Sequence, residues 1–248
     1  MSREPIDYAR AVAQHAQYEA ALRRFGCRVQ RLPDAPDLPD SVFVEDTAVV
    51  FDDMAVIARP GAASRRAEVE ATIAALGPHR RLACIEAPGT LDGGDVLVTP
   101  DRVFVGMSGR TNMEGARQLA SLLAPTGLEV VPIPVGGCLH LKSAVTLARL
   151  RQGYGEAGGR TTLVINPEWV DVSLFDGFEL IEVDPSEPAA ANVLRIGTHV
   201  ICAEEHPRTR ARLEARGLVT QSVPAGELAK AEGGITCCSV LVAVSSKR

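Results

Sequence analysis

Nowhere in this 248-residue chain do about 18 apolar residues run together, the length a helix needs to cross a bilayer. A membrane-spanning helical protein is thereby excluded. Positive charge is in short supply as well. Twenty-six Lys and Arg face 31 Asp and Glu, the net charge is −5, and no segment carries a basic stripe, which argues against a nucleic-acid partner. The start, Met1-Ser2-Arg3-Glu4-Pro5, opens into a charged helix and lacks the apolar stretch of a signal peptide. The 6 cysteines (Cys27, Cys84, Cys138, Cys202, Cys237, Cys238) form neither a disulfide framework nor a Cys-x-x-Cys pair. That pattern points to a reducing, cytoplasmic setting and away from structural zinc. What the chain does have is apolar content, 46%, enough for the core of one or two soluble globular domains.

Helical and strand-like runs alternate along it. Residues 6–25 place Tyr8, Ala11, Val12, Tyr18, Leu22 and Phe25 on one helical face, with Gly26 as a stop and a strand expected over Cys27–Leu32. A first unit follows, with strands over Ser41–Phe51 and Met54–Ala58 and a turn at Arg59-Pro60-Gly61. Ser64 is placed to cap a helix striped by Val69, Ile73 and Leu76. The order recurs with strands at Val96–Val98 and Arg102–Gly106, a helix over about 112–123 and a strand over 128–133. The third unit starts at His140, carries the glycine-rich insertion 152–159, read as a mobile loop, and has only a short turn near 169–175 in place of its helix. The fourth has strands near 193–196 and 199–203 and a helix near 207–216, and a last strand is expected over Cys237–Val244.

Strand–helix alternation makes the class α/β. The unit starts keep a period: Asp46 to Asp95 is 49 residues, Asp95 to Ser143 is 48, Ser143 to Asn192 is 49 and Asn192 to Ser239 is 47. A repeat of this size is the mark of ββαβ modules set around an axis, with equivalent strand starts converging there. The segment ahead of these units, residues 6–32, begins at its helix, with no leading strand before it.

At those starts sit chemically capable residues. Cys237 has a packing role open to it, as a small hydrophobe in a strand, and a nucleophilic one, because His140 two repeats away can move protons around it. Cys237 and Cys238 alternate across an extended run, so one alone can face the axis. Glu45, Asp46, Asp92 and Asp95 interrupt apolar runs; they either cap turns or form a socket for a guanidinium, whose planar donors match carboxylates two at a time. Arg65 and Arg110 occupy equivalent loops, as surface arginines or as holders of a substrate carboxylate. Lys142, two residues past His140, shares its face, solvated or in an internal ion pair.

Taken in order, Leu38–Asp46, Arg59–Ala62, Ser64–Arg66, Leu91–Val96, Arg110–Asn112, Leu139–Ser143 and Thr236–Val240 resemble the dimethylarginine dimethylaminohydrolases of the guanidine-modifying (pentein) superfamily, over residues 4 to 244. The resemblance implies a pentein-type, pseudo-fivefold α/β propeller over 1–248 as one domain, with its site on the axis. Members start with a strand and a loop that closes over the substrate; Met1 falls at or just past that loop, so the leading strand and lid are expected to be missing. By resemblance, Cys237 is the nucleophile, His140 the general acid/base and Asp92 an orienting carboxylate. Glu45 and Asp46 hold the guanidinium, Asp40 the α-ammonium, Arg65 and Arg110 the α-carboxylate, and the backbone near Ala231 meets the amino-acid end. No metal and no cofactor is implied for turnover, although a Cys–His pair can take up zinc as an inhibitor.

The reaction so implied is hydrolysis of N-methylated L-arginine to citrulline and an alkylamine through a covalent thiouronium, on a small-molecule guanidine, by a cytoplasmic monomer or homodimer. The enzymatic alternative is hydrolysis of free arginine or of another derivative such as N-hydroxyarginine. Arginine deiminases tend to be longer, with an aspartate where Lys142 stands. A catalytically silent propeller, like the ribosome anti-association factors of this fold, is disfavoured by the retention of Cys237, His140 and Asp92. A thiol or zinc sensor built on Cys237 and Cys238 is a third reading.

Overall fold

The computed structural model describes residues 5–151 and 160–243; the glycine-rich insertion at 152–159 lies outside the described residues. Helix α1 (Tyr8–Arg24) comes first, capped by the Asp7 side chain on the Arg10 N–H at 3.0 Å. Four units follow. The first has β1 (Ala48–Val50), β2 (Met54–Ile57), α2 (Val69–Leu76) and β3 (Arg81–Cys84). The second has β4 (Val96–Val98), β5 (Arg102–Met107), α3 (Met113–Leu123) and β6 (Glu129–Pro134). The third opens with the single turn α4 (Leu141–Ala144), then β7 (Val145–Arg149), β8 (Thr162–Ile165), a 3-10 turn Val172–Phe175 where the others have a helix, and β9 (Glu179–Glu182). The fourth holds β10 (Leu194–Ile196), β11 (His199–Ala203), α5 (Pro207–Ala215) and β12 (Val219–Val223), followed by the short α6 (Gly226–Ala229).

Each unit makes one three-stranded sheet in chain order, an antiparallel hairpin followed by a parallel third strand. The central strand of each is covered on both faces, and the sequence shows it: Met-Ala-Val-Ile in β2 and Thr-Leu-Val-Ile in β8 are buried at every position. The third strands β3 and β6 lie at the sheet edges and expose their first residues. Cores form between successive units. Val56 packs with Val105 and Leu119, Phe104 with Leu163 and Phe175, Val164 with Val200 and Leu213. Each such fully buried side chain contributes about 1.5–3 kcal/mol.

A short helical turn precedes the first strand of every unit: Val44–Thr47, Gly93–Asp95, Leu141–Ala144 and Pro188–Ala191. These turns carry the period, and a side chain on three of them reaches the next turn. Asp46 Oδ1 accepts the Gly94 N–H at 3.0 Å, Asp95 Oδ1 the Leu141 N–H at 2.9 Å, and Asn192 Oδ1 the Thr236 N–H at 2.9 Å. The Glu45 N–H then donates to Cys237 O at 3.0 Å, so the terminal turn closes the ring onto the first unit. The regular spacing of acid and amide residues is the signature of these ties between units.

Of the expected strands, one is much shortened and two do not form. Ser41–Phe51 keeps only Ala48–Val50, because Val44–Thr47 winds into a 3-10 turn. Cys27–Leu32 runs without ladder partners; Arg31 is instead clamped by the buried Glu19 at 2.6 and 3.0 Å. The described part of Cys237–Val244 is turn and irregular chain. Helix α1 buries Gln14, Tyr18, Glu19, Ala21 and Leu22, while Tyr8 and Val12 stay 80% and 51% exposed, so its inner stripe starts a turn later than the apolar pattern suggests. It packs on the fourth unit and on the terminal turn, with Tyr18 hydroxyl 2.7 Å from Ser239 Oγ and Ile235 and Cys238 in the same cluster. Ser64 caps nothing: it lies inside the 3-10 turn Ala63–Glu68 that leads into α2.

Candidate active site

Glu45 and Asp46 come from the first unit's turn, Asp92 and Asp95 from the second, His140 and Lys142 from the third, and Cys237 from the closing turn. Glu45, Asp46, Asp92, Asp95 and His140 are all buried, and Cys237 is half-buried. Gly93-Gly94 makes the convergence possible. A Cβ on Gly94 would stand 2.6 Å from Asp46 Oδ1 and 2.9 Å from the His140 ring.

His140 is gripped on both nitrogens by acid. Nε2 lies 3.1 Å from Asp92 Oδ2 and Nδ1 3.7 Å from Asp46 Oδ1. Burial alone would lower its pKa, but Asp46, Asp92 and Asp95 together outweigh it and raise the imidazole from 6.5 to about 9. The ring is therefore an imidazolium at neutral pH. Asp46 feels burial upward and His140 and Arg65 downward, and the charges win, holding its carboxyl below the usual range. Asp92 is fixed by the Gly61 N–H on Oδ1 at 2.8 Å, and its own N–H is taken by Thr111 Oγ1 at 3.1 Å.

A group whose pKa is raised on folding stabilises the fold fully below its unfolded value and loses that contribution as pH climbs through the folded value. For His140 the window runs from 6.5 to about 9, and the linked stability is about 3 kcal/mol. The melting temperature is expected to fall by several degrees across that window. In His140→Gln the slope flattens, as thermal melts in overlapping buffers would read; an equal slope in both proteins refutes the coupling.

Cys237 sits in the opposite kind of field. Its Sγ accepts the Gly234 N–H at 3.2 Å, and burial, then Glu45 and Asp46, push the thiol well above its ordinary value. Cys238 points into the apolar cluster with Tyr18 and Ile235, and burial leads the shift of its thiol to about 12. It is a packing residue.

Glu45 is held at both oxygens, by Lys142 Nζ at 2.6 Å and Thr236 Oγ1 at 2.6 Å. Asn192 braces this pair by donating to Lys142 O at 2.9 Å and Thr236 Oγ1 at 3.1 Å. Thr236 and Asn192 were legible as a motif residue and a period marker, and their work on Glu45 was not. Lys142 is thus in the internal ion pair that the sequence left as one of two readings.

The two arginines part company. Arg110 Nη1 is buried without a hydrogen-bond partner, 3.6 Å from Asp92 Oδ2, with the side chain 27% exposed. Arg65 is 4% exposed and its nitrogens are spent on the protein: Glu68 takes Nε at 3.1 Å and Nη2 at 2.7 Å, Asp46 takes Nη1, and the carbonyls of Phe43 and Asp40 take Nη2 at 3.0 and 3.3 Å. Arg65, expected to hold a substrate carboxylate, is here the counter-charge of two buried acids, Asp46 and Glu68. Glu68 was not foreseen. Asp40 is half-buried in the turn ahead of the site, and the Ala231 N–H is spent on Leu228 O at 3.0 Å. One oxygen each of Asp46 and Asp92 and a nitrogen of His140 lie within 4.8 Å of one another, a spacing that could hold a cation. The same side chains are engaged with each other and with Arg65, Gly94 and Gly61.

Known proteins resemble this chain over most of its length. Residues 2–142 match the family model described as N,N dimethylarginine dimethylhydrolase, eukaryotic. The chain is 42% identical to an N(G),N(G)-dimethylarginine dimethylaminohydrolase of Streptomyces coelicolor, over 97% of this chain and 89% of that protein. It is 37% identical to one of Pseudomonas aeruginosa, over 94% and 89%. Among solved structures, a cysteine-to-serine mutant of the Pseudomonas aeruginosa enzyme complexed with citrulline superposes with a TM-score of 0.88 at 33% identity, covering 96% of this chain and 90% of that one. The N-terminal domain of a cyanobacterial arginine dihydrolase shares the fold, at a TM-score of 0.82 and 18% identity over 95% and 87%. With its ring of α/β units, its buried carboxylates and this likeness over nearly its whole length, the chain belongs to the dimethylarginine dimethylaminohydrolase family.

Proposed function

We propose that this protein hydrolyses N-methylated L-arginine to L-citrulline and an alkylamine. The observation that carries the reading is the field around Cys237: a thiol beside Glu45 and Asp46, in a site where His140 is protonated and three carboxylates converge. Such a site favours a cation, and a guanidinium is the planar cation that carboxylates grip in pairs. Relatives support the chemistry, since one binds citrulline and another forms an adduct with S-methyl-L-thiocitrulline.

In the resting site the thiol stays neutral. The arriving guanidinium screens Glu45 and Asp46, so the thiol releases its proton to solvent and the thiolate forms when there is something to attack. Sγ adds to the guanidinium carbon. The His140 imidazolium gives its proton to the dimethylamino nitrogen, the C–N bond breaks and dimethylamine leaves, which yields an S-alkylthiouronium on Cys237. Water then adds to the same carbon, giving a proton to the now neutral His140, and the C–S bond breaks to release citrulline and the thiol. Asp92 holds Nε2 and fixes the ring. Arg110 meets the α-carboxylate, with Arg65 acting behind it through Asp46; Asp40 and the Ala231 carbonyl meet the α-ammonium. We take residues 1–248 as one domain, working in the cytoplasm as a monomer or homodimer without metal or cofactor.

The test is citrulline release from asymmetric dimethylarginine, monomethylarginine and arginine under one set of conditions. Methylated substrates are expected to turn over with one alkylamine per citrulline and arginine to lag by tenfold or more, roughly the worth of filling an apolar subsite with a methyl group. Equal rates on arginine would turn the assignment toward a deiminase, and silence on all three would end it.

A further inference from the structure

Asp95 is a fully buried carboxylate, 0% exposed, to which the reaction above gives no task. It ends the turn Gly93–Asp95 and is saturated with donors. Oδ1 accepts the N–H of Leu141, the neighbour of His140, at 2.9 Å. Oδ2 accepts the hydroxyls of Ser108 at 2.5 Å and Thr111 at 2.7 Å. Those hydroxyls flank Arg110 and pass the tie onward: Ser108 Oγ takes the Arg110 N–H at 3.0 Å, and Thr111 Oγ1 takes the Asp92 N–H at 3.1 Å. The pocket is tight, since a Cβ on Gly106 would stand 2.8 Å from Oδ1. A turn tie of this kind needs only an acceptor; Asn192 makes the equivalent tie in the fourth unit with a neutral amide. A buried anion is a costly way to do the same work unless its charge or its extra acceptor oxygen is used.

We infer that Asp95 is a positioning residue that couples the two ends of the substrate, holding the His140 backbone at the scissile end and the Arg110 loop at the carboxylate end through one side chain. This rests on the methylarginine reading for what Arg110 binds. The charge has a second effect. His140 faces Asp46 from the first unit, Asp92 and Asp95 from the second and the Cys138 sulfur from its own segment, with Arg65 and Arg110 behind Asp46 and Asp92. Asp95 adds to the negative field that keeps the imidazolium charged. A change at Asp95 therefore reaches acid catalysis and substrate grip together, which a residue that merely fills the turn would not do.

Three proteins test it: wild type, Asp95→Asn and Ser108→Ala. The His140 ring is titrated in long-range 1H–15N spectra of histidine-labelled protein, with His140→Gln to assign it among the 5 histidines. In Asp95→Asn its pKa is expected to fall by about one unit, the scale of losing one nearby carboxylate. KM for dimethylarginine is expected to rise about tenfold in the same variant, the scale of weakening one charged hydrogen-bonded contact. Ser108→Ala cuts the Arg110 arm alone, so KM rises several-fold while the His140 titration stays within about 0.3 unit. A lower melting temperature in Asp95→Asn with both the titration and KM unchanged overturns the inference. Should Asp95→Asn fail to fold, an unchanged KM in Ser108→Ala overturns it. If wild type turns over no methylarginine, the functional reading has failed, and the ring titration still decides: an unmoved His140 pKa in Asp95→Asn removes the coupling.

Discussion

Cys237→Ser is expected to lower citrulline formation by about four orders of magnitude or more while leaving the melting temperature near that of the wild type. The fold should tolerate the change because the hydrogen bond that Sγ accepts from the Gly234 N–H at 3.2 Å is one that a hydroxyl also accepts. Activity should not tolerate it. Glu45 and Asp46 already push the thiol well above its ordinary value, and a hydroxyl, whose intrinsic acidity is far weaker, would have to ionise in the same field. The guanidinium charge that brings a thiol within range cannot do so for an alcohol. The measurement pairs initial rates with calorimetric binding of citrulline. Binding retained with turnover gone supports the nucleophile role, and a rate within tenfold of wild type contradicts it.

The second large effect is on stability. Arg65→Met removes the guanidinium that neutralises Asp46 and Glu68, both buried, and leaves Glu68 without its cation and Asp46 with the His140 ring alone. Breaking a buried pair in this way costs about 3–5 kcal/mol, which for a chain of this size is a fall of about 10 °C in melting temperature. Burial already raises the Glu68 pKa, so the variant should take up a proton there on folding, and part of the loss should be recovered at acidic pH. Activity should drop too, because Asp46 stands against the His140 ring. If the melting temperature holds and KM alone rises, Arg65 is a substrate contact after all, and the carboxylate is gripped from both loops.

Much of this was open to reading from the chain itself. The period of 47 to 49 residues is physical, because a residue at each unit's turn must reach the next turn, and a change in spacing would break Asp46 from Gly94 or Asn192 from Thr236. Central strands covered on both faces show as unbroken apolar runs. Acids at the ends of apolar runs left two readings open, turn ties and a buried charged site, and Asp46 and Asp95 serve both.

What the chain alone left undecided depends on partners far away in sequence. Whether Cys27–Leu32 and Cys237–Val244 are strands is a question of ladder partners, and local apolar pattern does not report them. Which arginine is free and which is spent turned on Glu68, Asp46 and two carbonyls, none of which has a spacing that marks it. Lys142 joined Glu45 rather than solvent because Thr236, 191 residues from Glu45, and Asn192 hold the pair in place. The amino-acid sequence determined the repeat, the α/β class and the chemical inventory, because those follow from local periodicity and from the cost of burying charge. The tertiary structure decided which charges face one another, and with that the protonated His140, the neutral Cys237 and the different acids that Arg65 and Arg110 meet, because a charge's behaviour is set by neighbours that only the closed ring brings together.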